Sequence, residues 1–205
     1  MRDIGFAVGG DGIEYWPRLL EEWCLLVERY CRALSGRDAP YWHSERANVG
    51  LLSAAAWRAG LVALEEFPAQ RSAQGNVKTG RCDLWIYSEH EPDGDAYEAK
   101  WSWSSVQSFR EDITHYLDEA CAEVASLIDT FYERRCGLLF AIPQCTTSVN
   151  IEDFVTIANR CLMQNEVHAI AWAFPFDIRK TSEGELQPGV VLLLRKQSDR
   201  STERK

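Results

Sequence analysis

Two short segments of the chain carry residue types suited to metal-dependent chemistry. Asp83 lies in the first segment, and Glu98, Ala99 and Lys100 form the second. Carboxylate and carbonyl oxygens are the ligands that Mg²⁺ prefers, and a nearby lysine can stabilise negative charge that develops on a substrate. The spacing therefore predicts a site in which Asp83 and Glu98 hold a divalent cation beside Lys100.

The two segments are predicted to be neighbouring β-strands joined by a turn. Residues 80–87 and 95–101 read as strands, and the residues between them contain Pro, Asp and Gly, which is typical of a hairpin. A hairpin that closes symmetrically around residues 90–91 places Asp83 directly opposite Glu98. Opposed carboxylates repel each other and destabilise a strand pair, and a cation between them would remove that repulsion.

The ordinary explanation for such a pair is two charges on the solvated face of a hairpin. Both strands are nevertheless rich in buried-type residues, which indicates a central position in a sheet. The Glu-x-Lys spacing directs an acid and a cation to the same point. The surrounding elements also follow a recognisable order, so the metal-site hypothesis is favoured.

Composition indicates one domain with a substantial core and an acidic balance of charge. The chain has 205 residues, 46% of them hydrophobic, with eight tryptophans and a formal net charge of −9. This length is typical of one domain. The negative charge opposes binding of nucleic acid by general electrostatics, and it suits a protein that binds other proteins.

Cysteine usage and hydropathy predict a cytoplasmic protein. The seven cysteines include no C-x-x-C pair, which favours reduced thiols over a disulfide framework or structural zinc. The N-terminus lacks the apolar core of a signal peptide, and no run approaches the roughly 18 apolar residues of a membrane span. We therefore expect a cytoplasmic location and no membrane partner.

The pattern of apolar residues predicts an α/β domain with one mixed sheet covered by helices. Residues 71–80 are polar and contain two glycines, so a flexible loop is expected there. Helices are expected at 15–33, 44–59, from 104 or 105 to about 132, and 151–164, and strands at 61–67, 80–87, 95–101, 137–142, 169–174 and 190–194.

From residue 45 to residue 142 the chain resembles the PD-(D/E)xK, or restriction-endonuclease-like, nuclease superfamily. The family has an Asp on its second core strand and Glu-x-Lys on the third, often with a Glu on the first helix. The matching residues are Asp83, Glu98, Lys100 and Glu45, whereas Cys82 stands where many members have Pro. The resemblance implies a restriction-endonuclease-like mixed sheet flanked by helices. It divides the chain into an N-terminal helical extension (1–40), a nuclease-like domain (41–195) and a polar, disordered tail (196–205).

The resemblance further implies an Mg²⁺- or Mn²⁺-dependent endonuclease that hydrolyses DNA phosphodiester bonds. Asp83, Glu98 and the backbone carbonyl of Ala99 are expected to ligate the metal. Lys100 is expected to orient or deprotonate the attacking water, or to stabilise charge on the phosphate. Glu45 is expected to hold a metal-bound water or a second ion.

Substrate contacts and partners are less closely specified by the sequence. Candidate contacts are Lys78, Arg81 and Gln107, although an exposed loop charge explains Lys78 equally well. Either Glu65 or Glu66 is also a candidate for the site. The acidic charge predicts weak intrinsic affinity for DNA, which a homodimer or a partner protein would strengthen. One alternative hypothesis is a catalytically silent nuclease-fold module that binds a protein, as an inhibitor, immunity or assembly subunit does. A second alternative is an enzyme that acts on another phosphate ester.

Overall fold

The structure of the chain, a computed structural model, describes residues 3–73, 75–91, 93–128, 132–144, 151–175 and 187–197. Residues 198–205 of the predicted tail therefore lie outside the described residues, and Lys196, its first residue, ends a strand instead. Within these residues, seven strands form one mixed sheet flanked by four α-helices. The predicted α/β class is confirmed. None of the helices in the described part of the chain is long and apolar enough to cross a membrane.

The sheet has the strand order β1-β6-β7-β5-β4-β3-β2, so β3 and β4 are both interior strands. Strands β4 and β5 pair in parallel, and every other neighbouring pair is antiparallel. The helices are α1 (Trp16–Ala33), α2 (Glu45–Arg58), α3 (Phe109–Ala125) and α4 (Ile151–Met163). The strands are β1 (Asp3–Val8), β2 (Val62–Ala73), β3 (Asn76–Tyr87), β4 (Gly94–Ser104), β5 (Tyr132–Pro143), β6 (Ala169–Phe174) and β7 (Val190–Lys196).

The first two helices form where apolar periodicity and capping predict them. The apolar side of α1, which includes Trp16, Leu20 and Trp23, is fully buried in the main core cluster. Helix α2 begins after Ser44, whose hydroxyl oxygen accepts a hydrogen bond from the Ala47 N–H at 3.2 Å. Such a cap satisfies one of the free N–H groups at a helix start. It fixes the first turn of α2, which begins with Glu45.

The first strand, β1, was not predicted from the glycine-rich start of the chain. It pairs antiparallel with β6, and Gly5 lies opposite Trp172. A Cβ on Gly5 would lie 2.5 Å from the Trp172 ring, so the strand needs glycine where the ring packs. The segment predicted as an N-terminal extension thus supplies an edge strand and a helix, α1, that shares its core cluster with α2 and β4.

The predicted flexible loop at residues 71–80 is wrong, because β2 and β3 continue as one long hairpin. Arg71 pairs with Lys78, and Ser72 pairs with Val77. The Ser72 N–H also donates to the Ser126 carbonyl at 2.8 Å. Exposure explains the polar sequence, since the distal part of β3 lies at the surface. The hairpin carries Arg71 to the end of α3.

The predicted extent of the third helix is also wrong. Helix α3 ends at Ala125, and Tyr132 is already the first residue of β5. Beyond the helix, Leu127 forms an isolated antiparallel bridge with Arg71, and the Ile128 N–H donates to the Gln70 carbonyl at 3.0 Å. The chain therefore leaves the helix because it pairs with the far end of β2.

A buried ion pair joins the start of β4 to β5 and to the residue before α1. Asp95 is 1% exposed, and it accepts hydrogen bonds from Arg134 Nε at 2.8 Å and from the Tyr15 hydroxyl. Arg134, which is 24% exposed, also lies 3.1 Å from the Glu91 carboxylate, so Asp95 is the buried member of this group of contacts. These contacts fix the strand that carries Glu98 and Lys100.

We expect Asp95→Ala to lower the free energy of unfolding by about 3 kcal/mol, because the hydrogen bonds that Arg134 and Tyr15 donate to this buried carboxylate are lost. Glu22→Ala is the control, since Glu22 pairs with Arg58 at 2.7 Å on the surface, and its loss should cost no more than about 1 kcal/mol. Urea unfolding followed by tryptophan fluorescence measures both values. Equal losses in the two variants would contradict this assignment.

Candidate active site

The candidate site lies where β3 separates from β4. Backbone pairing between the two strands ends at Leu84 and Tyr97, in the register that places Asp83 opposite Glu98, as predicted. Beyond this point an Asp83 carboxylate oxygen accepts a hydrogen bond from the Ala99 N–H at 2.8 Å. The Asp83 side chain thus takes the place of a backbone hydrogen bond between the strands. The two acids meet where β3 and β4 diverge, a point called the fork below.

Asp83 and Glu98 form a coupled pair of carboxyl groups. Glu98 is only 3% exposed, and a side-chain hydrogen bond joins it to Asp83. Burial, and then the charge of Asp83, raise the pKa of Glu98 to about 8, although Arg71 opposes the shift. Burial also raises the pKa of Asp83, against the effect of the Ala99 N–H. Near neutral pH the pair therefore holds a proton in the absence of metal.

Arg71 reaches the site from β2 and was missed by the sequence analysis. Its guanidinium donates hydrogen bonds to the Glu98 carboxylate and to the Arg81 carbonyl. It also donates to the Glu123 carbonyl at 3.0 Å and to the Ser126 hydroxyl at 3.3 Å. Phe67, Ala69 and Arg71 alternate along one face of a strand, and this pattern could have placed Arg71 on the same face as the two apolar residues. It was overlooked because residues 71–80 were predicted to be a loop.

Lys100 is held by a second acid that the sequence analysis missed, Glu123 of α3. The Lys100 ammonium donates to both carboxylate oxygens of Glu123 at 2.7 Å. Burial lowers the pKa of Lys100, but the Glu123 hydrogen bond and the charges of Glu123, Glu119 and Glu45 leave it above its ordinary value. Lys100 is thus an ammonium at neutral pH. The i, i+4 spacing of Glu119 and Glu123 on one helix face was the sequence signal.

Glu45, the first residue of α2, is half-buried within electrostatic reach of this cluster. Burial, and then the charge of Asp83, raise its pKa to about 7, while Lys100 opposes the shift. The Ser44 cap positions the residue, since it fixes the start of the helix. The structure thus brings Glu45 within electrostatic range of Asp83 and Lys100.

The predicted substrate contacts lie around the cluster rather than in it. Lys78 is exposed on the hairpin opposite Arg71, and Gln107 is exposed in the turn before α3. Arg81 is also exposed, and its guanidinium lies 3.4 Å from the Glu66 carboxylate. Contact between a substrate and Lys78, Arg81 or Gln107 therefore stays a prediction.

Of the two neighbouring acids on β2, Glu66 is the one near Asp83. Its charge contributes to the raised pKa of Asp83. Glu66 also has a φ of 51°, although it lies within a strand. Strained backbone of this kind clusters at functional sites. Glu65 instead faces α2, since a Cβ on Gly50 would lie 3.4 Å from its carboxylate.

The donor set at the fork fits a hard divalent cation. Asp83 and Glu98 supply adjacent carboxyl groups, and the proton that they share is one that a metal can replace. Among the described residues, no group of three or more His, Cys, Asp or Glu side chains is arranged to hold a metal ion. Two cations lie among the acids instead, Arg71 against Glu98 and Lys100 against Glu123.

No family model, curated protein or solved structure matches this chain. The resemblance to the nuclease superfamily therefore depends on the chain's own residues. Asp83 lies on β3, Glu98 and Lys100 lie on β4, and Glu45 begins α2.

The raised pKa of Glu98 predicts a pH-dependent stability in the absence of metal. The folded protein retains the Glu98 proton up to about pH 8, whereas the unfolded chain loses it near the ordinary value of 4.5. The contribution of Glu98 to the free energy of unfolding is therefore complete below pH 4.5 and is lost as the pH rises through about 8.

We expect Glu98→Gln, measured with a chelator, to be more stable than wild type at pH 9 by on the order of 2 kcal/mol. Near pH 5 the two proteins should differ little, because the glutamine resembles the protonated acid. Urea unfolding across this range gives the difference. Parallel stability profiles would show that Glu98 titrates normally.

Proposed function

We propose that the chain is a metal-dependent nuclease that hydrolyses DNA phosphodiester bonds at the fork between β3 and β4. The observation that carries this proposal is the coupled pair of Asp83 and Glu98 at the fork, in which Glu98 is buried and Asp83 is half-buried, with the Lys100 ammonium beside the pair. A scaffold gains nothing from two opposed carboxyl groups that are largely withdrawn from water, because they repel each other when ionised.

In this proposal Asp83, Glu98 and the carbonyl of Ala99 would hold Mg²⁺ or Mn²⁺. When bound, such an ion lowers the pKa of a water molecule and offsets charge on the scissile phosphate. The Ala99 N–H holds the Asp83 carboxylate at the fork. This contact orients the carboxylate before any ligand arrives.

Lys100 would stabilise the negative charge that develops on the phosphate. Its raised pKa favours this role over deprotonation of the attacking water, which needs a neutral amine. Glu123 holds the ammonium through both carboxylate oxygens. The proton of the attacking water would pass to Glu45, whose pKa of about 7 suits a general base at neutral pH.

The β2–β3 hairpin supports a nucleic acid as the substrate despite the net charge of −9. It carries Arg71, Lys78 and Arg81 beside the fork, and the last two are exposed. Local cations of this kind contact phosphates even when the whole protein is acidic. The overall charge still favours a second copy of the chain or a partner protein that strengthens binding.

A silent nuclease-fold module that binds a protein is the second candidate. The observation that favours it is the internal neutralisation of the site, because Arg71 and Lys100 already pair with Glu98 and Glu123. Such a module would need neither metal nor nucleic acid. It would bind no Mn²⁺ at the fork and would cleave nothing.

We expect wild type to cleave supercoiled plasmid or single-stranded DNA with Mg²⁺ or Mn²⁺. Lys100→Met should reduce the rate by at least about 100-fold, because an oriented charge at the phosphate is lost. Asp83→Asn should be equally impaired. Glu22→Ala, on the surface of α1, should cleave at the wild-type rate.

Gel assays of matched preparations measure these rates, and circular dichroism confirms that each variant is folded. An undiminished rate in folded Lys100→Met would refute the assignment of the site. A folded wild type that neither binds metal nor cleaves DNA or RNA would favour the silent module.

A further inference from the structure

The contact between Arg71 and Glu98 is a built feature of the fold rather than a chance surface pair. The Arg71 side chain is 20% exposed and that of Glu98 is 4% exposed. The guanidinium also donates to the Arg81 carbonyl, the Glu123 carbonyl and the Ser126 hydroxyl. These acceptors come from β3 and from the end of α3, and they hold the guanidinium beside Glu98.

Backbone contacts hold the strand that carries Arg71 in place independently of its side chain. The Ser72 N–H donates to the Ser126 carbonyl, and the Ile128 N–H donates to the Gln70 carbonyl. Arg71 itself bridges to Leu127. The end of β2 is therefore anchored to the segment after α3, and the guanidinium is presented to Glu98 by a rigid support.

A guanidinium and a divalent cation compete for the same carboxylate. The Glu98 oxygen that accepts from Arg71 belongs to the proposed metal ligand. A buried carboxylate needs a compensating positive charge, and Arg71 supplies it when no metal is present. With both cations at the fork, their mutual repulsion would weaken metal binding.

We propose that Arg71 is an internal competitor for the metal site, which occupies Glu98 in the metal-free protein and is displaced by the incoming divalent ion. This inference rests on the proposed function, because it requires a metal site at the fork. It assigns Arg71 a regulatory role, since the arginine sets the metal concentration at which the site fills.

Isothermal titration calorimetry of the full chain with Mn²⁺, without nucleic acid, tests this competition. Arg71→Met should bind Mn²⁺ about 10-fold tighter than wild type, because Glu98 is then free. Lys78→Met is the matched control, since it removes one charge from the residue that faces Arg71 in the same hairpin. Its affinity should stay within about 2-fold of wild type, because an exposed charge is screened by solvent and salt.

Thermal melting gives a second readout and a safeguard against poor folding. Metal-free Arg71→Met should melt below wild type, and saturating Mn²⁺ should remove the difference. Arg71→Lys keeps the positive charge but loses the planar guanidinium with its several N–H donors. Its Mn²⁺ affinity should therefore lie between those of wild type and Arg71→Met. It replaces Arg71→Met if the latter does not fold.

The possible failures are distinguishable. Equal Mn²⁺ affinity in wild type and the Arg71 variants would overturn the competition and leave the metal site intact. Absence of Mn²⁺ binding in all of these folded proteins would overturn the competition together with the proposed function.

Discussion

Two carboxyl groups that meet at the fork between β3 and β4, one buried and one half-buried, impose the central electrostatic constraint on this structure. Asp83 and Glu98 are brought together by strand register and by the hydrogen bond from the Ala99 N–H. Buried acids in contact must share a proton or acquire a cation. The shared proton and Arg71 together meet this requirement, and a divalent ion would satisfy it equally well.

The rest of the fold positions charges around this pair. The parallel pairing of β4 with β5 keeps Glu98 and Lys100 on an interior strand. Helix α3 brings Glu123 to Lys100 and so keeps the lysine protonated. The two cations at the fork are thus each paired with an acid, Arg71 with Glu98 and Lys100 with Glu123.

The sequence predicted those parts of the fold that depend on local signals. The hairpin turn and the apolar alternation of β3 and β4 were sufficient to predict the register of Asp83 and Glu98. The Ser44 cap was sufficient to predict the start of α2. The distal hairpin was missed because its stability comes from pairing with residues after α3, which no local pattern reveals. Arg71 was missed with it, and Glu123 was missed because its role depends on where α3 packs.

The most direct test of a metal site at the fork is a crystal structure with Mn²⁺, measured at a wavelength at which manganese scatters anomalously. We expect an anomalous peak at about 2.1 Å from carboxylate oxygens of both Asp83 and Glu98, with the Arg71 guanidinium displaced from Glu98. An empty fork in well-ordered crystals grown at saturating Mn²⁺, with Arg71 still bonded to Glu98, would contradict the metal site and the function proposed for it.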